Sequence, residues 1–197
     1  MSLVPSPDAP RPSGPGVKLT YDDFVLFPDD GKRHELIDGE HYVTPSPSTR
    51  HQRIVMNLSG LIWNFLRQNR LGQVFGAPFD VVFSDFDVVE PDLLFVSHAR
   101  RDVLTTQNVQ GAPDLVVEVG SPGTRRRDER TKHLLYERFG VSEYWVVDPD
   151  IDLVKVYRLV EGRYTRTSEL TLAEGDILTT PLLPGLEIPL SEVFGEL

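Results

Sequence analysis

From Pro113 to Val119 the chain reads PDLVVEV, apolar at nearly every step but interrupted by acids at Asp114 and Glu118. A run this short predicts a buried strand, and alternation places Leu115, Val117 and Val119 on one face, Asp114, Val116 and Glu118 on the other. A Ser-Pro-Gly turn follows, then a basic, amphipathic segment. Arginine in a first helical turn opposes the helix dipole, so the spacing predicts a helix starting at about Asp128, with Arg125, Arg126 and Arg127 in the loop before it. Its apolar stripe is Leu134, Leu135 and Phe139, and Gly140 ends it. Glu143 to Val147 then predicts a second strand, giving a strand, helix, strand unit.

Upstream, Met1 to Gly16 is rich in Pro, Ser and Gly without periodicity, which predicts a disordered or loosely packed tail over about residues 1–18 and a single domain over 19–197. Thr20 caps a short helix that turns Tyr21, Phe24, Val25 and Leu26 inward and stops at Pro28. RHELIDGEHYVT, Arg33 to Thr44, predicts a hairpin turning at Asp38-Gly39. Its Glu40 and His41 read as solvent-facing, and Glu35 is kept as an accessory acid. A long helix is expected from about Thr49 to Arg70, ended by Leu71-Gly72, with Ile54, Val55, Leu58, Leu61, Ile62, Phe65 and Leu66 facing a sheet. His51 falls in its first turn, where surface exposure is the simpler expectation and a ligand-facing role the other. Gln73 to Ser84 and Val88 to Ser97 read as two strands, the second disturbed by Pro91 beside Asp92. A polar loop covers His98 to Gln110. After Val147 come a hairpin about Glu161-Gly162 and a short turn or helix from Leu190 to Phe194.

Composition narrows the chemistry. In 197 residues there is no cysteine, so disulfides and thiolate metal sites are excluded, and any metal must be held by oxygen or imidazole. No apolar run is long enough to cross a bilayer and no export signal is visible, so the cytoplasm is the expected compartment and no membrane partner is expected. A formal net charge of −10 argues against nonspecific coating of nucleic acid. Between Thr124 and Gly140, however, the local balance is +3, so a basic surface remains available there.

Glu118 is the residue whose position needs explaining. A carboxylate buried without partners costs several kcal/mol or takes up a proton, so a cation, a donor or a divalent ion must lie near it. Asp114 shares its face but stands roughly 13 Å away at strand rise, too far for both to hold one ion directly. Asp92, the polar point of another apolar run, is the better partner. Lys132, early in the following helix, is a candidate third charge, although its pattern alone reads as a solvated face residue. No phosphate-binding glycine loop, GxSxG elbow or HExxH pair occurs.

APDLVVEVGSPGTRRRDERTKHLLYERFGVSEYWVVDP, with ELIDGE, His51 and EPDLLFV, resembles the Uma-type family of putative restriction endonucleases, within the PD-(D/E)XK nuclease superfamily. The resemblance implies an α/β fold: a restriction-endonuclease-like mixed sheet flanked by helices, with N-terminal and C-terminal β-hairpins. It implies Asp92 and Glu118 as the acids that bind Mg²⁺ or Mn²⁺. Where the superfamily has lysine two residues after the second acid, this chain has Gly120, and Lys132 is the residue that matches a lysine relocated to the helix. The implied activity is metal-dependent hydrolysis of nucleic acid, DNA in preference to RNA, with Asp92, Glu118 and Lys132 catalytic, and Glu35, His51 and Asp114 accessory. Arg125, Arg126, Arg127 and Arg130 would contact the phosphate backbone, and a homodimer is compatible with the superfamily. The alternative is an inactive module of the same fold that binds nucleic acid or a protein. A two-carboxylate glycosidase is a third reading, weakened by the lack of an aromatic-rich sugar platform.

Overall fold

A computed structural model describes residues 17–28, 30–44, 46–121 and 125–196, without the side chains of residues 125–129. The expected tail, up to residue 16, therefore lies outside the described residues. In chain order the elements are α1 (Tyr21–Phe24), β1 (Arg33–Ile37), β2 (Glu40–Thr44), α2 (Thr49–Asn69), β3 (Gly72–Gly76), β4 (Val81–Ser84), β5 (Asp87–Val89) and β6 (Leu93–Ser97). They continue with β7 (Val109–Gln110), β8 (Leu115–Val119), α3 (Arg125–Phe139), β9 (Glu143–Asp148), β10 (Leu153–Val160), β11 (Arg163–Thr171), β12 (Ile177–Thr179), β13 (Glu187–Pro189) and α4 (Leu190–Phe194).

Alternation along β8 decides the layering. Leu115, Val117 and Val119 join one core with Ile54, Leu58, Ile62 and Leu66 of α2, while Val116 joins a second core with Leu135 and Tyr136 of α3. A mixed sheet, ordered β11-β10-β9-β8-β6-β3, thus has helices on both faces. β8 and β9 are parallel, a pairing that requires a crossover, and α3 is that crossover. A second sheet, ordered β2-β1-β5-β4-β7, carries the N-terminal hairpin. Its turn holds Asp38 and Gly39 at φ of 53° and 74°, the positive angles expected of this dipeptide. β10 and β11 turn the same way at Glu161 and Gly162.

Several expectations change. The two long strands read from Gln73 to Ser84 and Val88 to Ser97 are four: β3 and β6 pair in the mixed sheet, β4 and β5 in the second. The breaks fall around Pro78 and Pro91, which have no N–H to give a ladder. The loop from His98 to Gln110 contains a 3₁₀ turn, His98–Val103, and β7. Because α1 is a single turn, Val25 and Leu26 are exposed, at 57% and 81%, and Phe27 instead packs against the rings of His34 and His41. α3 begins at Arg125, not at Asp128. The dipole penalty is modest, about 0.3–1 kcal/mol, and the high helix propensity of arginine offsets part of it. Leu134 is 54% exposed, and Tyr136 takes the inner position instead.

α2 starts at its Ser48 cap, whose hydroxyl accepts the His51 N–H at 3.2 Å, and ends with Arg70 in the left-handed region at φ 36°. Gly72 is therefore the first residue of β3 and not the helix cap. A β-carbon there would stand 2.2 Å from the Val96 carbonyl oxygen and 2.7 Å from the Phe95 ring. Gly72→Ala is expected to push β3 off β6 and cost about 1–3 kcal/mol, seen as a lower urea midpoint at unchanged slope.

Candidate active site

Asp92 stands where β6 begins. The register pairs Leu93 with Val117, so one step outward Asp92 lies across from Glu118. Asp92 is 2% exposed and its acceptor capacity is well used: Oδ1 accepts Arg33 Nη1 at 2.8 Å, and Oδ2 accepts the Val119 N–H at 2.8 Å and His51 Nε2 at 3.1 Å. Burial alone would raise its pKa, but the His51 bond, the Arg33 charge and the backbone donor outweigh it and hold the group at about 2. His51, expected on the surface, is buried at 3% because the start of α2 is set against the end of the sheet. The other ring nitrogen, Nδ1, is buried without a hydrogen-bond partner among the described residues.

Glu118 lies on the α3 side of the sheet, the face it shares with Val116. Lys132 and Tyr136 are four residues apart on that helix and so share one face. Glu118 Oε1 accepts the Tyr136 hydroxyl at 2.6 Å and Lys132 Nζ at 3.0 Å, and the same Nζ donates to Glu35 Oε1 at 2.8 Å. Glu35, 4% exposed, also accepts the Glu90 N–H at 3.0 Å. The expectation of a solvated Lys132 is overturned: its side chain is 12% exposed between two acids. Burial pushes Glu118 up to about 7, with Lys132 pulling down and Asp92 and Glu35 pushing up. Burial would lower Lys132, but Glu118 and Glu35 hold its pKa above the ordinary lysine range.

Asp114 is not brought to this cluster. It sits at the other end of β8, where Oδ2 accepts the Ser97 N–H at 2.7 Å. Arg130 is exposed on α3, and the side chains of Arg125, Arg126 and Arg127 lie outside the described residues. Three members were not singled out from sequence: Arg33, Glu90 and Tyr136. Arg33 was legible as the residue two before Glu35 on one strand face, and Tyr136 as the residue four after Lys132. Glu90 had no pattern to mark it.

The electrostatics have a sign. Glu35, Glu90, Asp92 and Glu118 are answered by Arg33 and Lys132, so full ionisation leaves a local excess of two negative charges. Burial, with Asp80 nearby, likewise pushes Glu90 up to about 7, and Glu90 Oε2 has no partner among the described residues. Protons thus answer part of this excess near neutrality. A hard divalent ion would answer it equally well, and an all-oxygen set of this kind suits Mg²⁺ or Mn²⁺. Among the described residues no three acidic or imidazole side chains form a ready-made ion cage. Two facing carboxylates are the donors that fit. A cavity of about 420 Å³ opens beside Asp92 and His51.

Between pH 4.5 and about 7 the folded chain holds protons on Glu118 and Glu90 that the unfolded chain has lost, so stability should fall as pH rises through that window. Urea titrations should show the slope halved in Glu118→Gln. Asp92 has the opposite sign: its contribution is present above pH 3.8 and lost as pH falls toward 2. Asp92→Asn, which leaves Arg33 without its anion, is expected to cost about 3 kcal/mol at pH 7.

A solved structure with 22% sequence identity, described as a "putative nuclease belonging to DUF820" from Anabaena variabilis, superposes at a TM-score of 0.76 over 89% of this chain and 97% of its own. At that identity the likeness shows the fold, which is the restriction-endonuclease-like mixed sheet with flanking helices. No curated protein matches the chain. Residues 21–191 match the Uma2 family, described as "Putative restriction endonuclease", and the chain belongs to that family.

Proposed function

We propose that the chain is a divalent-metal-dependent nuclease that hydrolyses phosphodiester bonds, with DNA as the preferred substrate. The observation that carries this reading is the facing pair Asp92 and Glu118, with the Lys132 ammonium held beside Glu118 by Glu35. Asp92 and Glu118 would hold Mg²⁺ or Mn²⁺, which supplies Lewis-acid stabilisation of phosphoryl oxygens and a nucleophile at neutral pH. The remaining work belongs to the chain. Arg33, His51 and the Val119 N–H fix the Asp92 carboxylate, so it presents one orientation. Tyr136 does the same for Glu118 from behind. Lys132 keeps its proton in this setting and acts as a fixed positive charge, positioned to orient attacking water or to neutralise charge developing on the phosphate. Arg130 on the exposed side of α3, with Arg125, Arg126 and Arg127 before it in sequence, would contact phosphates and make binding salt-dependent.

One observation favours the inactive module: Asp92 and Glu118 are already satisfied by donors from the chain itself, as in a structural ion-pair network. Manganese calorimetry separates the two readings. A nuclease should bind Mn²⁺ and lose that binding in Asp92→Asn; a structural network should show no such heat.

With plasmid or oligonucleotide substrates, cleavage should require Mg²⁺ or Mn²⁺ and stop with chelator. Glu118→Gln and Lys132→Arg, which keeps the buried positive charge, should each lower the rate by about 10²-fold or more while circular dichroism remains unchanged. Undiminished cleavage by either variant would remove these residues from the reaction. Sedimentation of the same samples tests the homodimer that the superfamily resemblance allows.

A further inference from the structure

From His41 to Phe79 the sequence has no Asp or Glu, although 30 of the 197 residues are acidic. Within that stretch Gln52, Met56, Gly60, Trp63, Arg67 and Arg70 recur every three or four residues, so they line one side of α2 and its cap. Met56 is 66% and Trp63 52% exposed, and the Arg67 guanidinium lies 4.9 Å from the centre of the Trp63 ring. The arginines of this stretch are of two kinds. Arg50 and Arg53 are taken up by Asp152 and Glu196, whereas Arg67 and Arg70 form no ion pair among the described residues. The Leu71 carbonyl accepts the His98 N–H at 3.0 Å, which sets the 3₁₀ turn, with Arg100 and Arg101, alongside the same helix end. Arg100 also has no ion pair among the described residues, and Arg101 meets its own neighbour Asp102 at 3.9 Å.

Structural roles account for part of this pattern. The helix dipole favours a cation in a last turn, which explains Arg67. It does not explain the exposed Trp63, the arginines of the 3₁₀ turn or Gly60. Glycine is the least favourable helix residue after proline, and a β-carbon at Gly60 would meet nothing within 4 Å, so no packing among the described residues calls for it. A gap between Met56 and Trp63 is instead what a closely lying partner backbone needs. We propose that this face of α2 is a track for the sugar-phosphate backbone of nucleic acid leaving the active site, anchored at its far end by Arg67, Arg70, Arg100 and Arg101. The inference rests on the nuclease reading and adds where the substrate's flank runs. Gln52, at the start of the stripe, lines the cavity beside Asp92. Arg67 and Arg70 lie roughly 22–27 Å further along at helical rise, about six to eight nucleotides at about 3.4 Å per step of one strand. A second copy of the chain fits less well. A twofold contact centred on Gly60 would lay this face on itself, its arginine end toward Arg50 and Arg53, with no acid on either α2.

The full chain in chelator, titrated with a fluorescent DNA duplex over a range of salt, reads binding without cleavage. Arg67→Gln combined with Arg70→Asn should weaken binding alike for all sequences and flatten the slope of log affinity against log salt by about 1.8, at about 0.9 per phosphate contact. Asparagine tolerates the left-handed backbone of Arg70, φ 36°. Arg163→Gln combined with Arg166→Gln, on β11 at the opposite edge of the mixed sheet from β3, changes the net charge equally and should leave the slope unchanged. Gly60→Leu should lose affinity while its urea midpoint holds or rises. A slope untouched by the Arg67 and Arg70 changes, or flattened as much by those on β11, overturns the track even if cleavage is robust. The expected slopes in a chain that cuts nothing with Mn²⁺ uphold the track and overturn the nuclease reading. A wild-type dimer in sedimentation that Gly60→Leu dissociates while DNA affinity holds gives the face to a second copy and overturns the track.

Discussion

One buried ammonium ties the molecule's parts together. Lys132 reaches from α3 to Glu118 on the mixed sheet and to Glu35 on the second sheet, so a single charge ties β8 and α3 to β1 across a separation of 97 residues. Removing it would leave two buried carboxylates facing each other near Asp92, each with only neutral donors, and unpaired buried charge is among the costliest defects a fold can carry. The position of α3 against the end of the mixed sheet is thus constrained by electrostatics as well as by Leu135 and Tyr136 in the core.

The same arrangement keeps the site short of positive charge. Arg33 is used on Asp92 and Lys132 is shared between two acids, while Glu90 and Glu118 both have raised proton affinity. A site built only for stability would balance its charges or exclude them, because well-packed apolar replacements of buried ion pairs are often neutral or stabilising. The excess of acid at the junction of two sheets, beside an open cavity, is what the proposed divalent ion would offset.

That junction depends on two prolines. Pro78 and Pro91 end the strands that would otherwise run on within one sheet, and the chain passes between sheets at those points. Asp92 follows the second break, where its carboxylate turns to meet α2 through His51 and β1 through Arg33. Local ladder disruption and the approach of a second sheet are one event here, and they bring Arg33, Glu35 and Glu90 to the acids of the first.

Much of this was legible in the chain itself. Period-two alternation assigned Val117 and Glu118 to opposite faces, glycine after an acid marked both hairpins, and the apolar spacing of α2 named its buried residues, because each of these signals is set by backbone geometry within a few residues. An acid in an apolar strand also announced that Glu118 needed a partner. Which partner it found was a different matter. Lys132, His51 and Glu35 are polar residues in ordinary polar positions of their own elements, and only the docking of α2, α3 and β1 around the sheet's end buried them. Local pattern encodes which face a residue takes; the desolvation and mutual charge that make it part of a site arise only when elements far apart in sequence close over it.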